Sequence, residues 1–244
     1  MTELLYQHDA YLARFEATVV DALADGVVLD RTAFFPGGGG QPADTGILSW
    51  AGGQAGVTGL TWRDGVLVHG IEGAGPPPGA TVTGELDWER RYAHMRTHTA
   101  LHTLGGVIAR DHGALITGGN FDGLKARMDF ELPSMSADLA ATVEAALRAE
   151  VAADRPVRVD FVSPDELAAR ADLIRTKTNL VPQGLDIVRV IEIDGLDRQA
   201  DGGTHVRSTG EVGGVRVVKH ESKGKANKRL RIELDPAPAA APGP

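Results

Sequence analysis

The rhythm of apolar positions changes near residue 87. Before it, apolar residues come in short pieces, Val19-Val20, Val27-Val28-Leu29 and Phe34-Phe35. Turn signals such as Asp25-Gly26, Gly52-Gly53, Asp64-Gly65 and Gly73-Ala74-Gly75 divide this stretch. Short strands so interrupted predict a small barrel or a sandwich. Pro76-Pro77-Pro78 reads as a rigid turn near the end of that region.

From Asp87 the period lengthens. Trp88, Tyr92, Met95 and Thr99 fall on one helical face, so the spacing predicts a helix capped by Asp87 that runs to about Arg110, ahead of Gly113. Leu139, Val143, Leu147 and Val151 predict a second helix, capped near Ser136. Val157, Val159 and Phe161 alternate with Arg158 and Asp160, as in a strand. Ser163-Pro164-Asp165-Glu166 is a capping box with proline at the first helical position. Ile187 to Ile193 reads as a strand. Val215 and Val217, then Leu230, Ile232 and Leu234, read as two more, paired across the intervening loop. Helices followed by strands make this region α+β. The expected division is 1–86, β-rich with the Gly-rich loop; 87–235, α+β; and 236–244, a disordered Pro/Ala tail.

Composition narrows the class. The chain has 244 residues, 42% hydrophobic and 24% charged, enough for one large or two modest domains. No apolar run approaches the roughly 20 residues needed to span a bilayer, so no membrane association is expected. The N-terminus lacks a basic region before an apolar run, which makes the cytoplasm the expected compartment. With no cysteine, disulfides, thiolate metal sites and cysteine nucleophiles are excluded. A net charge of −8 argues against indiscriminate nucleic-acid binding. Yet Lys219, Lys223, Lys225, Lys228, Arg229 and Arg231 lie within 13 residues, either a solvated hairpin or a phosphate contact.

Candidate chemistry centres on His98 and His102. Four residues apart on a helix, they lie about 40° apart around the axis and one turn apart along it, so they can grip one metal ion from one side. Asp201-Gly202-Gly203-Thr204-His205 supplies a third histidine, His205, and a candidate fourth ligand, Asp201. His94 lies about 12 Å from His102 along the axis, too far to share an ion with it, and reads as packed or as an outer partner. Such a site is either closed and structural, or keeps one position open for water and attacks a carbonyl. Gly37-Gly38-Gly39-Gly40 gives either a floppy hairpin loop or a close approach for a ligand; no Lys-Ser/Thr follows, so it is not a nucleotide P-loop. No Gly-x-Ser-x-Gly elbow occurs.

Together these motifs resemble the free-standing AlaX proteins and the editing domain of alanyl-tRNA synthetase. Four segments carry the resemblance: Thr32 to Gln41 continuing to Asp44-Thr45-Gly46, the His98-Thr99-Ala100-Leu101-His102 helix, Gly202 to Val206 with Thr209-Gly210-Glu211-Val212-Gly213, and Lys223-Gly224-Lys225. It implies a small N-terminal β-barrel followed by an α+β editing core, an antiparallel sheet with helices, holding zinc on the HxxxH helix. It also implies a trans-acting hydrolase of tRNA(Ala) mischarged with serine or glycine, working as a monomer or dimer. On this resemblance His98, His102, Asp201 and His205 hold the metal; His98, His102, Thr32 and Gln41 serve catalysis. Thr32, Gly39, Gly40, Gln41, Lys223, Lys225 and Arg229 bind substrate. One departure stands out: Asp201 occupies the position of the family's cysteine, a harder ligand that leaves open another divalent metal. The alternatives are a tRNA-binding module of the same fold that has lost catalysis, or a hydrolase of another aminoacyl-tRNA such as Ser-tRNA(Thr).

Overall fold

The strand Arg14–Leu23 shows how the first region folds. Phe15, Ala17 and Val19 are buried while Arg14, Glu16 and Thr18 are exposed, the two-residue period of a half-buried strand. Val19 is 1% exposed and its neighbour Val20 60%, so the pleat separates two residues that look alike in the sequence. Five further strands, Gly26–Leu29, Gly46–Trp50, Gly53–Arg63, Val66–Ile71 and Thr81–Leu86, close with it into a barrel of antiparallel neighbours. Closure leaves no unpaired barrel edge. Phe15, Val19, Leu29, Phe34, Leu48 and Leu67 fill the interior. Phe34 and Phe35 are not a strand, although both are buried: they open the glycine-rich segment.

The computed structural model describes residues 2–178, 181, 184–224, 226–237, 239, 240 and 242. It divides into two compact units, Met1–Ala93 with Ala239–Pro244, and His94–Pro238. The boundary falls inside the long helix α1, Trp88–His112. Asp87 caps α1, its carboxylate accepting the Arg90 N–H at 3.1 Å. Gly113 ends it in the left-handed region (φ 62°), where its N–H reaches the Ala109 carbonyl at 3.0 Å. The sequence predicts one inward stripe, but every residue from His94 to Ile108 is buried. Polar groups on the far side find partners within the second unit: Arg96 donates to the carbonyls of Glu211, Val212 and Asp235, and Thr97 to Gly123.

In the second unit, Val215–Ser222, Asn227–Leu234, Lys125–Glu131 and Ile116–Asp122 form an antiparallel sheet in that order. Val157–Val162, Val188–Ile193 and Asp197–Ala200 form another. Helix α2, Ala137–Ala152, is capped by Ser136, which accepts the Leu139 N–H at 3.1 Å, and buries Val143 and Leu147. Helix α3, Pro164–Ala169, is capped by Ser163 and has proline in its first turn. The fold is α+β with a small N-terminal barrel. Among the described residues no helix is long and apolar enough to cross a membrane.

Candidate metal centre

His98 and His102 leave α1 one turn apart, with ring centroids 4.9 Å apart. The strand Asp197–Ala200 ends beside them, and the Gly202-Gly203 turn then brings back Asp201 and His205. The His205 ring stacks on His98 at 4.3 Å and meets His102 edge-on at 4.5 Å. Asp201 Oδ1 lies 3.6 Å from His98 Nε2 and 3.9 Å from His102 Nε2, and its Oδ2 lies 3.1 Å from His205 Nε2. One ligand atom from each of the four residues lies within 4.8 Å of all the others.

Neighbours hold this arrangement. The Gly203 N–H donates to Asp201 Oδ2 at 2.7 Å, and Arg189 donates to the carbonyls of Asp201 and Gly203 at 3.1 and 2.7 Å. Thr99 Oγ1 accepts the Val206 N–H at 3.2 Å and lies 3.1 Å from His205 Nδ1. His94 stands apart, its ring edge-on to Phe121 at 5.8 Å and its Nε2 3.5 Å from Asp122.

The electrostatics favour a cation. Burial lowers His98 to about 4 and His205 well below the usual imidazole value, so both rings are neutral at pH 7 and offer lone pairs. Burial also works against an ionised Asp201, but His98, His205 and His102 outweigh it and hold its carboxyl well below the usual carboxylate range. Three imidazoles around one carboxylate are a donor set that fits a divalent ion. The four residues could hold a metal ion.

Thr32, Gly39, Gly40 and Gln41 belong to the first unit. Gly37 to Gly40 all have positive φ, between 59° and 132°. Gly38 and Gln41 exchange both backbone hydrogen bonds at 3.0 and 2.9 Å, and Gln41 is buried. Thr32 is buried, its Oγ1 accepting the Phe34 N–H at 3.2 Å and lying 2.8 Å from His69 Nε2. His69 Nδ1 faces the Val27 carbonyl at 3.3 Å. A carbonyl only accepts, so Nδ1 carries the proton, and the Thr32 hydroxyl donates to Nε2. Burial lowers His69 to about 4, which keeps it neutral.

The basic segment is the Val215–Ser222/Asn227–Leu234 hairpin. Glu221 lies within it, held down to about 2 by hydrogen bonds from Arg231 and Lys219. Arg229 donates to both Asp129 oxygens at 2.6 and 2.8 Å, whereas the Lys223 side chain is 41% exposed and 4.0 Å from Glu221. Lys225 lies outside the described residues.

Asp197 and Gln199, both buried beside His102, are not among the residues that the motifs single out. A signal was there: Asp197 and Gln199 are two residues apart in the strand that leads to Asp201, so both lie on one face of it.

The barrel, the helix-borne histidines and the returning Asp201–His205 turn define a class. A family model described as "Threonyl and Alanyl tRNA synthetase second additional domain" matches residues 188–231, and one described as "tRNA synthetases class II (A)" matches residues 8–90. Alanyl-tRNA editing protein AlaX-M of Methanosarcina barkeri is 39% identical over 241 residues, covering 96% of this chain and 99% of the relative. The protein of that name from Saccharolobus solfataricus is 37% identical over 239 residues, covering 97% and 100%. The alanine--tRNA ligase of Pyrobaculum neutrophilum is 40% identical over 231 residues, 90% of this chain but 25% of the ligase. The chain belongs to the alanyl-tRNA editing protein AlaX-M family.

Proposed function

We propose that this chain is a trans-acting aminoacyl-tRNA hydrolase that removes serine, and glycine, from mischarged tRNA(Ala). The observation that carries the proposal is the convergence of His98, His102, Asp201 and His205 in a member of this family. Zinc or another divalent ion bound there would polarise the ester carbonyl and lower the pKa of a coordinated water. The chain's own residues hold that centre: Gly203 and Arg189 fix the Asp201 turn, and Thr99 orients His205. Gly39, Gly40 and Gln41 offer backbone that a tRNA end can approach closely, and Gln41 joins the catalytic set. Lys223, Lys225 and Arg229 take phosphates; Arg229 already shares Asp129, so its part in the salt dependence is the smallest.

Choice of serine over alanine rests on Thr32. Alanine fits wherever serine fits, so the site must reward the extra hydroxyl rather than exclude size. The Thr32 hydroxyl gives its proton to His69 and accepts from Phe34, which leaves a lone pair to accept from serine.

The test is deacylation of Ser-, Gly- and Ala-tRNA(Ala) and of Ser-tRNA(Thr) by the purified chain, before and after metal removal. Fast, metal-dependent release from Ser-tRNA(Ala) with Ala-tRNA(Ala) spared supports the reading. Full activity without metal overturns the metal assignment. Binding of tRNA(Ala) with no release of any amino acid leaves the tRNA-binding module in its place, and preference for Ser-tRNA(Thr) replaces the substrate.

A further inference from the structure

A pair of glycines, Gly105-Gly106, interrupts the buried part of α1. Glycine inside a helix is unfavourable unless something needs the space. Gly106 stands one turn beyond His102. A Cβ there would lie 2.9 Å from Leu196 Cγ and 3.1 Å from Asp197 Cβ. The missing side chain is what lets residues 196 and 197 reach the helix beside His102.

Asp197 uses that approach. Its carboxylate is buried, with Oδ2 3.6 Å from His102 Nδ1. Arg175 Nε donates to Oδ1 at 3.0 Å, and the Gln199 amide donates to Oδ2 at 2.7 Å. His102 therefore has two distinct sides. Nε2 faces Asp201, and Nδ1 faces Asp197 and the Gln199 amide nitrogen, which is 3.1 Å away. For Nε2 to offer its lone pair, a neutral imidazole must carry its proton on Nδ1. The Gln199 N–H donates to Nδ1 here, which leaves the proton on Nε2 until an ion takes that nitrogen; an amide N–H₂ cannot then accept the hydrogen bond of a proton moved to Nδ1, whereas the Asp197 carboxylate can. Ligand histidines elsewhere commonly lean on such a carboxylate, which fixes tautomer and ring orientation.

We infer that Asp197, admitted by Gly106 and anchored by Arg175, is the positioning residue of His102: when an ion takes Nε2, the carboxylate 3.6 Å from Nδ1 accepts that nitrogen's proton in a hydrogen bond and so keeps Nε2 aimed at the cluster. The inference rests on the metal reading proposed above. It does not extend to His205, whose Nδ1 has the Thr99 hydroxyl.

The test uses the full-length, metal-free chain, titrated with Zn²⁺ and Co²⁺ against a chromophoric chelator, with constants taken per folded molecule by circular dichroism. Asp197→Asn is expected to weaken binding 10–100-fold and to shift the visible absorption of bound Co²⁺. Arg175→Gln removes the ion pair but keeps the carboxylate beside His102. It is expected to bind far more tightly than Asp197→Asn and to keep the Co²⁺ spectrum. If both variants lose thermal stability alike while affinity and spectrum stay at wild type, Asp197 is only the counter-ion of Arg175 and the inference fails. If both lose affinity equally, the carboxylate has no role of its own, and it fails again. Wild-type protein that takes up neither ion overturns the metal reading itself, a different result from wild-type binding with an unchanged Asp197→Asn.

Discussion

Each unit buries a charged cluster, and the two are built in opposite ways. In the first, Arg91 is fully buried and spends its donors inside the unit. Nε reaches both Asp44 oxygens at 3.2 and 3.0 Å, Nη1 reaches the Ala10 carbonyl at 2.8 Å, and Nη2 reaches Asp44 and the Ala33 carbonyl. Asp44 also accepts the Phe35 N–H at 2.6 Å. A cation is already present, and its hydrogen bonds tie the glycine-rich segment to the start of α1. In the second, a carboxylate and three imidazoles converge with one ligand atom each within 4.8 Å of the others, an arrangement that suits an ion supplied from outside. Acidic or basic content alone does not separate a lock from a site; whether the donors and acceptors match each other does.

Breaking the lock should have the largest effect. Asp44→Ala strands the Arg91 guanidinium in the interior and is expected to destabilise the protein by about 3–5 kcal/mol, read by urea unfolding. Metal uptake per folded molecule should not change; if it falls with stability, the two clusters are not separate in kind.

Breaking the site should do the reverse. Asp201→Ala is expected to weaken metal binding by more than about 100-fold, beyond the range of outer-partner changes, without lowering the unfolding midpoint of the metal-free protein. Asp201→Cys should tighten zinc, since thiolate is the softer ligand. A midpoint that drops sharply in Asp201→Ala without metal would make Asp201 structural, like Asp44.

Proton linkage sharpens the contrast. His98 and His69 titrate near 4 when folded, below the ordinary value of 6.5. The unfolded chain therefore binds more protons between these values, so stability is retained above about 6.5 and lost as pH falls toward about 4. Each histidine should contribute about 1.4 kcal/mol per pH unit in that window. His69→Phe should flatten the slope in the metal-free and the loaded protein alike. Loading metal should steepen the remainder, because protons displace the ion from its ligands. An unchanged slope in His69→Phe would show that His69 takes up its proton as readily in the fold as in the unfolded chain.

The smallest expected change is in specificity. Thr32→Val removes the hydroxyl and leaves His69 Nε2 facing a methyl group, so the ratio of Ser-tRNA(Ala) to Ala-tRNA(Ala) hydrolysis is the measure, not the rate. It should fall by about 1 kcal/mol in transition-state energy. The same ratio in variant and parent would move serine recognition to another residue.

The one-dimensional pattern determined a good deal. Phe15, Ala17 and Val19 alternate, Asp87 and Gly113 bracket α1, and Ser136 and Ser163 cap the next two helices, because these are local effects of backbone geometry and hydrogen bonding. His98 and His102 were legible for the same reason, since helical spacing is local. Asp201 and His205 were legible as ligand types, but their arrival at α1 depends on a strand and a turn about a hundred residues away. Phe34 and Phe35 looked like a strand because apolar residues do not announce whether their backbone pairs. The burial of α1 on every side was hidden as well. Arg96 and Thr97 lie outside the predicted stripe, and their burial is possible because the carbonyls of Val212, Asp235 and Gly123 come to meet them. Tertiary structure alone decided that Arg91 meets Asp44, that Arg229 meets Asp129 and that Asp197 stands behind His102. In each, the partner's position is set by chain closure over many residues, and no local period encodes it.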